Sequence, residues 1–521
     1  MFQCPDCGGQ LRFDISSQQL ACMQCASLFD PYDITKENDA EEEQYYDVTV
    51  FRCPQCGGEI ISSDNRASDF CSFCGASTVL TSNLRKEKRP KYIIPFTKTK
   101  DDCKNAYSKF MRHAWFAPKE LKDARYIDGF RGIYMPYWAY HITEKGPVSL
   151  AGSHSYRRGD YVYTDHYSLT GTVNSSYKGI SYDASSSFDD NLSASIAPFD
   201  VKNMNRFTPS YLSGFYADTA DVDSKEYELE AKHIAASQTY NYIKRMPLPS
   251  SARFSLDESE SSVESKLNPQ CEKADGAMFP VWFLSYRNRD RVAYATVNGQ
   301  TGKVVADMPV SIGKYLLSSL ILAIPIFLML NVIFTMLPAT SLGICSLIAS
   351  LIPFLFTSEL KQIIVKDSSD FETVSDPKKQ YPKKRKKKTS VAGFLSTAII
   401  VVTYIVIILA FTVTLSSTSI SSYITYAAGI VGLIGFFCSR TPFKTVTGKN
   451  VPDTIYPMIT IIISCIVQFI KPVSDLFYYA CIILNLVAVL INLIGLIRYY
   501  NVLATRKLPQ FDSHKGGDDR A

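Results

Sequence analysis

None of the six longest apolar stretches of this 521-residue chain (315–336, 341–357, 391–415, 421–438, 454–470 and 476–497) contains Asp, Glu, Lys, Arg or His. Ion and proton pathways usually need intramembrane ionisable groups, so transport is left without its usual machinery. The opening Met-Phe-Gln-Cys has neither a basic region nor an apolar core, which excludes a secretory signal peptide there. The amino-terminal part is therefore expected on the side where it is made. Only six histidines occur, without paired ligand spacing, and no Ser/His/Asp or Cys/His arrangement can be assembled. The segment Asn298-Gly-Gln-Thr-Gly-Lys303 fails as a phosphate loop, because its glycines are too close and Val304 follows the lysine. It is expected to turn between strands 292–297 and 303–306. No enzyme is expected.

What is abundant is apolar length. About 20 apolar residues cross a hydrocarbon core of ~30 Å. The first, third and sixth stretches meet that comfortably. The second and fifth are near the lower limit and contain Pro353 and Pro457. With the amino terminus inside, the inner loops 358–390, 439–453 and the tail from Arg498 carry 10, 3 and 5 Lys/Arg. The outer loops carry only Lys471, so the positive-inside rule places both termini in the cytoplasm. The block Pro-Lys-Lys-Arg-Lys-Lys-Lys at 382–388 directly precedes the third stretch, where lysines are drawn to anionic lipid and fix topology.

Eight of the fourteen cysteines form four Cys-x-x-Cys pairs: Cys4/Cys7 with Cys22/Cys25, and Cys53/Cys56 with Cys71/Cys74. Fourteen residues separate the pairs within each set, and the second set repeats the first 49 residues later. That is Cys4 zinc-ribbon spacing. In a reducing cytosol paired cysteines mean metal rather than disulfide. Pro5 and Pro54 preset the turn, and Gly8, Gly57 and Gly75 permit positive φ, where the second knuckle has Ala26. Four thiolates fill a tetrahedral ion, so two structural zinc ions without an open catalytic position are expected, and metal binding would supply the folding energy of so small a ribbon. Redox-active or regulatory thiols are the alternative. Residues 1–50 hold ten Asp/Glu against Arg12 and Lys36, which repels phosphates and argues against nucleic acid.

The middle of the chain is soluble and aromatic. Cys103, Ala106, Tyr107, Phe110, Met111 and Ala114 keep helical spacing, in a helix that Pro118 would end. A second helix is expected over 224–245 with Asp223 as cap. Hairpins are expected at 148–156/161–173 around 157–160 and at 280–286/291–297 around 287–290, with an aromatic strand at 134–140. The resulting fold class is multidomain: tandem Cys4 zinc ribbons, an α+β, β-hairpin-rich cytoplasmic domain and an all-α polytopic membrane domain. Its parts are zinc ribbon 1 (1–35), an acidic linker (36–50), zinc ribbon 2 (51–80), a basic linker (81–91) and the β-rich domain (92–310). Transmembrane helices 1–2 (315–357), a basic loop (358–390), helices 3–6 (391–500) and a cytoplasmic tail (501–521) follow.

The Cys-Pro-x-Cys-Gly knuckles are followed in order by Tyr92-Ile-Ile-Pro-Phe96, Ile133-Tyr-Met-Pro-Tyr-Trp138, Tyr211-Leu-Ser-Gly-Phe215, Phe279-Pro-Val-Trp282 and Asn298-Gly-Gln-Thr-Gly-Lys303. As an ordered set over about residues 1–335 this resembles the zinc-ribbon membrane proteins of Gram-positive bacteria, labelled as transcription-factor-B-type or helicase-like ribbons. The resemblance implies a non-enzymatic membrane partner of phage-shock protein A-like and SPFH (flotillin-like) proteins in envelope stress. The helicase label finds no ATP-binding residues here. A second ribbon and additional spans depart from the family pattern. Partners beyond membrane lipid and such proteins, and the oligomeric state, are not given by the sequence. A zinc- or redox-responsive regulator, a transport protein with a regulatory ribbon and a nucleic-acid tether are the competing readings.

Overall fold

The computed structural model describes residues 2–34, 45–62, 71–77, 80–245, 255–333, 337–375, 418–509 and 511. The basic block 382–388, the third apolar stretch 391–415 and most of the acidic linker lie outside the described residues. The chain divides into two compact units: Met1–His113, Lys119–Asp307 and Lys507–Ala521 form one, Ala114–Pro118 and Met308–Arg506 the other.

The first unit is built on β-structure. Strands β1 (Leu11–Asp14), β2 (Gln19–Cys22) and β3 (Leu28–Phe29) make a small sheet. The large sheet uses β4 (Tyr45–Arg52), β5 (Glu59–Ser62), β6 (Thr81–Lys88), β7 (Tyr92–Ile93), β8 (Arg131–Arg158), β9 (Tyr161–Asp183), β10 (Asn205–Arg206), β11 (Tyr216–Ala217), β12 (Ser255–Leu256), β13 (Gln270–Asn288), β14 (Arg291–Asn298) and β15 (Val304–Ala306). Its main path runs β10-β7-β13-β8-β11-β5-β4-β6, with β9 and β12 pairing β8 and β14 pairing β13.

The strand at 134–140 and the hairpin arm at 148–156 are one 28-residue strand, β8, because β9 pairs with it without a break in the ladder except one bulge beside Tyr140/His141. The two-residue turn Gly159-Asp160 closes this hairpin, with Gly159 at φ 65°. The hairpin at 280–297 also forms, as β13 and β14. From Ala277 to Ser285 every residue of β13 is buried, as expected of a central strand covered on both faces. Phe279 stacks on Tyr137 at 4.4 Å, and Phe96 stacks on Phe215 at 4.5 Å.

The two stretches read as linkers are strands at their inner ends. β4 and β6 pair antiparallel over eight residues, from Tyr45 opposite Lys88 to Arg52 opposite Thr81. The acidic and basic charges that made each look solvated meet across this ladder, Asp47 opposite Lys86, while Arg85 reaches Glu59 at 3.1 Å.

Helix α1 (Lys100–Arg112) is held at its start by a capping box between Thr99 and Asp102. It buries Cys103, Tyr107 and Met111, a narrower stripe than the spacing suggested, since Ala106, Phe110 and Ala114 stay partly exposed. It ends at Arg112, well before Pro118, and Trp115 is 75% exposed. After α2 (Ala124–Ile127) and α3 (Asp190–Ile196), α4 (Glu228–Arg245) starts four residues later than its expected cap allowed. Asp223 instead accepts the N–H of Lys225 at 3.0 Å and closes a turn, the usual competition between a local side-chain bond and helix extension. Helix α5 is Glu260–Leu267.

The Asn298–Lys303 segment is a turn between β14 and β15, and Asn298 organises it. Fully buried, its amide donates to the carbonyls of Ile196 and Pro198 at 3.1 and 3.2 Å. Its oxygen accepts the N–H groups of Gln300 and Thr301, both at 2.9 Å. Four bonds are removed at once, among them the one to the carbonyl of buried Ile196, so Asn298→Ala is expected to destabilise this unit by about 3 kcal/mol. Urea unfolding followed by the fluorescence of buried Trp282 measures this; a midpoint equal to the parent's refutes the role.

The second unit is helical: α6 (Ile312–Ile333), α7 (Pro338–Ser375), α8 (Thr418–Thr447), α9 (Ile455–Ile470) and α10 (Leu476–Leu503). Among the described residues three helices are long and apolar enough to cross a membrane: Pro338–Val365, Ser422–Thr447 and Leu476–Leu503. Ile312–Ile326 and Ile455–Ile470 are shorter apolar helices. The second stretch, expected near the lower limit, lies in a helix long enough to cross, and only its bounds change: the helix runs through Pro353 and onward to Val365, past the uncharged stretch to take in Glu359 and Lys361. One turn beyond the proline the Thr357 hydroxyl donates back to the Pro353 carbonyl at 2.7 Å, a side-chain bond kept within the helix.

Burial in this unit is inverted relative to a water-soluble protein. Ser346, Ser350, Ser464, Gln468, Asn485 and Asn492 are buried, while Ile462, Ile466, Ile483 and Leu486 are exposed. Asn485 donates to Ser464 at 2.8 Å and to Ser346 at 3.4 Å, joining three helices. Gly435 lets α8 approach α7, since a Cβ there would meet that of Pro353 at 2.8 Å. Small residues and side-chain bonds between helices are what hold bundles together when the surroundings are as apolar as leucine.

Candidate metal centres

All eight cysteines singled out by spacing come together as two groups of four, Cys4, Cys7, Cys22 and Cys25 in one and Cys53, Cys56, Cys71 and Cys74 in the other. Within each, the sulfurs lie within 4.8 Å of one another. Cys4–Cys25 and Cys7–Cys22 are 3.6 and 3.4 Å apart; Cys53–Cys74 and Cys56–Cys71 are 3.8 and 3.7 Å apart. A tetrahedron with metal–sulfur bonds of ~2.3 Å has edges of about 3.8 Å. Each group could hold one metal ion, and an all-thiolate donor set is consistent with zinc. Among the described residues no other group of His, Cys, Asp or Glu converges this closely.

Four copies of one backbone device aim the sulfurs. In each knuckle the first cysteine's N–H donates five residues on, and its carbonyl accepts from the residue four on: Gly8 to Cys4 at 2.8 Å, Ala26 to Cys22 at 3.1 Å, Gly57 to Cys53 at 2.8 Å and Gly75 to Cys71 at 3.0 Å. That fourth residue is left-handed every time, at φ 70°, 59°, 72° and 68°. Three are glycine. Ala26 alone carries a Cβ there, a conformation costing roughly 1–2 kcal/mol for an L-residue. Ala26→Gly is therefore expected to stabilise the first ribbon by about 1 kcal/mol. Slower metal release from the first cage under chelator checks this; faster release contradicts it.

The cages differ in setting. In the first, Cys4 and Cys22 are buried but Cys7 and Cys25 are exposed. The hydroxyl and backbone N–H of Ser27 face Cys25, the oxygen at 3.3 Å, and bring that thiol down to about 6. The ribbon rests on the large-sheet side through Phe13, whose ring lies 5.1 Å from Tyr211 and whose N–H donates to Ser213 at 3.0 Å. In the second cage all four cysteines are buried and belong to one core cluster with Phe73, Ile133, Phe279 and Phe283. Cys53, bonded by Cys56, Cys71 and Cys74, is driven far below the ordinary thiol range, whereas Cys56 and Cys71, which face it, are pushed far above. Four thiols so close cannot all ionise unless a cation balances them, which is the chemistry a divalent metal supplies.

Sequence spacing located the ligand set but not its surroundings. Phe511, near the end of the chain, donates its N–H to the Cys56 carbonyl at 2.7 Å and packs on Phe73 at 5.7 Å. No local pattern signals a contact 455 residues apart. Also unforeseen are buried carboxylates elsewhere: Asp218 is bonded by the Ser185 and Ser187 hydroxyls, and burial raises it to about 7. Asp183, buried beside Asp190, is raised to about 8.

No protein-family model matches the chain, and no solved structure matches it. The chain is similar to a protein of Bacillus subtilis (strain 168) described as "Uncharacterized protein YdjG", with 27% identity over 317 residues, 60% of this chain and 91% of that relative.

Proposed function

We propose that this protein is a non-enzymatic membrane scaffold, holding zinc in both cages, whose ribbons and β-rich unit recruit protein partners to the cytoplasmic face of the membrane. The observation that carries this reading is the closure of both cages: four cysteine sulfurs surround each position, so none remains for a catalytic water. The excess of Lys and Arg in the inner loops supports cytoplasmic termini. On the first ribbon Met23 and Leu28 are 62% and 51% exposed, apolar contacts available to a partner. The family resemblance supplies the partner class, phage-shock protein A-like and SPFH-type proteins acting in envelope stress. The test is capture by the full-length protein from nuclease-treated, detergent-solubilised membranes, beside Cys7→Ser, with partners identified by mass spectrometry. An SPFH-type or phage-shock A-type protein held by the parent and lost from the variant is expected. Equal retention by both would remove the first ribbon from docking, and absence from both would end the scaffold reading.

A zinc- or redox-responsive regulator is the second reading, favoured by the exposure of Cys7 and Cys25. Partner release in step with zinc release at low oxidant would distinguish it from a permanent scaffold.

A further inference from the structure

The large sheet has two long outer strands, and they are treated differently. Among the described residues β6 pairs only with β4, and it carries Arg85, Lys86, Glu87 and Lys88 within eight residues, the charge that keeps an edge from pairing with other chains. β9, at 23 residues, pairs among the described residues with β8 alone. From His166 to Tyr177 it has no charged residue and no proline. Its inner end is covered: at Gly179 a Cβ would strike the Val201 side chain at 2.6 Å. Its outer part is exposed at Ser168, Thr170, Gly171, Thr172, Asn174 and Ser176.

The sequence of that uncovered part is chemically palindromic about one residue: Leu169-Thr170-Gly171-Thr172-Val173. An antiparallel partner strand is read backwards, so a palindromic strand is complementary to itself. Centred on Gly171, Thr170 lies opposite Thr172 of the second copy and Leu169 opposite Val173, both favourable cross-strand pairs. Asp165 and Lys178 flank the neutral stretch almost symmetrically, so each copy's acid comes to the end where the other's base lies. The hairpin register pairs Arg158 with Tyr161 across the two-residue turn, so even-numbered residues of the outer part turn their N–H and C=O groups away from β8. Thr170 and Thr172 can then exchange backbone bonds around a two-fold axis at Gly171. Gly171 makes the close pair on that axis, where a missing Cβ allows the nearest approach.

We propose that β9 is a homodimerisation edge: two copies of this chain pair antiparallel about Gly171, joining their sheets through an isologous interface. Confinement of both copies to one membrane raises their effective concentration and favours such pairing.

The register makes the proposal testable residue by residue. A cysteine at Gly171 would face its own copy at about 4.5 Å between Cα atoms, within disulfide reach. A cysteine at Thr164 would lie about 46 Å from its counterpart, fourteen residues along the strand. A Cβ at Gly171 meets no heavy atom within 4 Å, so Gly171→Cys does not disturb the fold. The full-length chain, Gly171→Cys, Thr164→Cys and Gly171→Cys/Thr172→Lys would be oxidised mildly in native membranes, with the unsubstituted chain giving the background from its own cysteines. Gly171→Cys is expected to give at least about tenfold more covalent dimer than Thr164→Cys, and the added lysine to abolish the excess. No dimer from Gly171→Cys, or equal dimer from both single variants, would overturn the proposal.

Discussion

Replacing Cys71 by serine is expected to remove one of two bound metal ions and, with it, the fold of the whole β-rich unit; replacing Cys7 is expected to cost one ion and leave that unit folded. The two cages have the same sulfur geometry, so the difference lies in what surrounds them. Cys53, Cys56, Cys71 and Cys74 are side chains of the main core, touching the cluster that contains Phe73, Ile133, Phe279 and Phe283. Binding of zinc to a Cys4 site is worth roughly 10–16 kcal/mol in small peptides, comparable with the about 5–15 kcal/mol by which a domain is stable. Loss of the second ion would also leave three thiols packed against apolar rings with no cation to balance them. Around Cys7 and Cys25, by contrast, lies solvent, and the ribbon's three short strands form a sheet of their own. Metal content by elemental analysis and near-ultraviolet circular dichroism of the detergent-solubilised chain measure both effects. A Cys71→Ser protein with one ion and a parent-like aromatic spectrum would show that the second cage is an ornament on the sheet rather than part of its core.

Metal removal by a strong chelator is expected to proceed in two well-separated phases of one equivalent each, the first cage before the second. Cys7 and Cys25 are open to direct attack, and the low thiol range of Cys25 leaves it reactive toward oxidants as well. The second cage has no exposed sulfur, so its ion leaves only when the surrounding core opens. If that opening costs about 5 kcal/mol, the open population is on the order of 10⁻⁴, and the second phase slows by about three orders of magnitude or more. A metal-binding dye that reports released zinc follows both phases. Release of two equivalents in a single phase would mean that the second cage opens locally, and the distinction between an accessible ribbon and a core ribbon would fail. The same separation bears on the regulator reading, because only the first cage is placed to respond before the fold is lost.

The cysteine spacing alone determined the two four-sulfur groups, down to each residue, because a metal ligand set is a local arithmetic of turns and pairs. Apolar length likewise determined that helices such as Leu476–Leu503 exist, and the two-residue turn at Gly159-Asp160 lay within the turn expected at 157–160. Tertiary structure decided everything that depends on distant partners. The same Cys-x-x-Cys repeat yields one ribbon that stands on three short strands paired among themselves and one that is absorbed into the large sheet, because the second is flanked by strands that pair into that sheet, β4 with β6 and β5 with β11. The acidic and basic stretches looked like solvated linkers until they met across a ladder. Pro353 marked a break by its chemistry, yet the helix runs through it from Pro338 to Ser375, since a proline removes a single bond of the ladder and the helix is packed against its neighbours there, as at Gly435. Local chemistry sets ligands, turns and spans; burial, edge pairing and the lid that Phe511 places on Cys56 are set by residues far away in the chain, which no window of sequence contains.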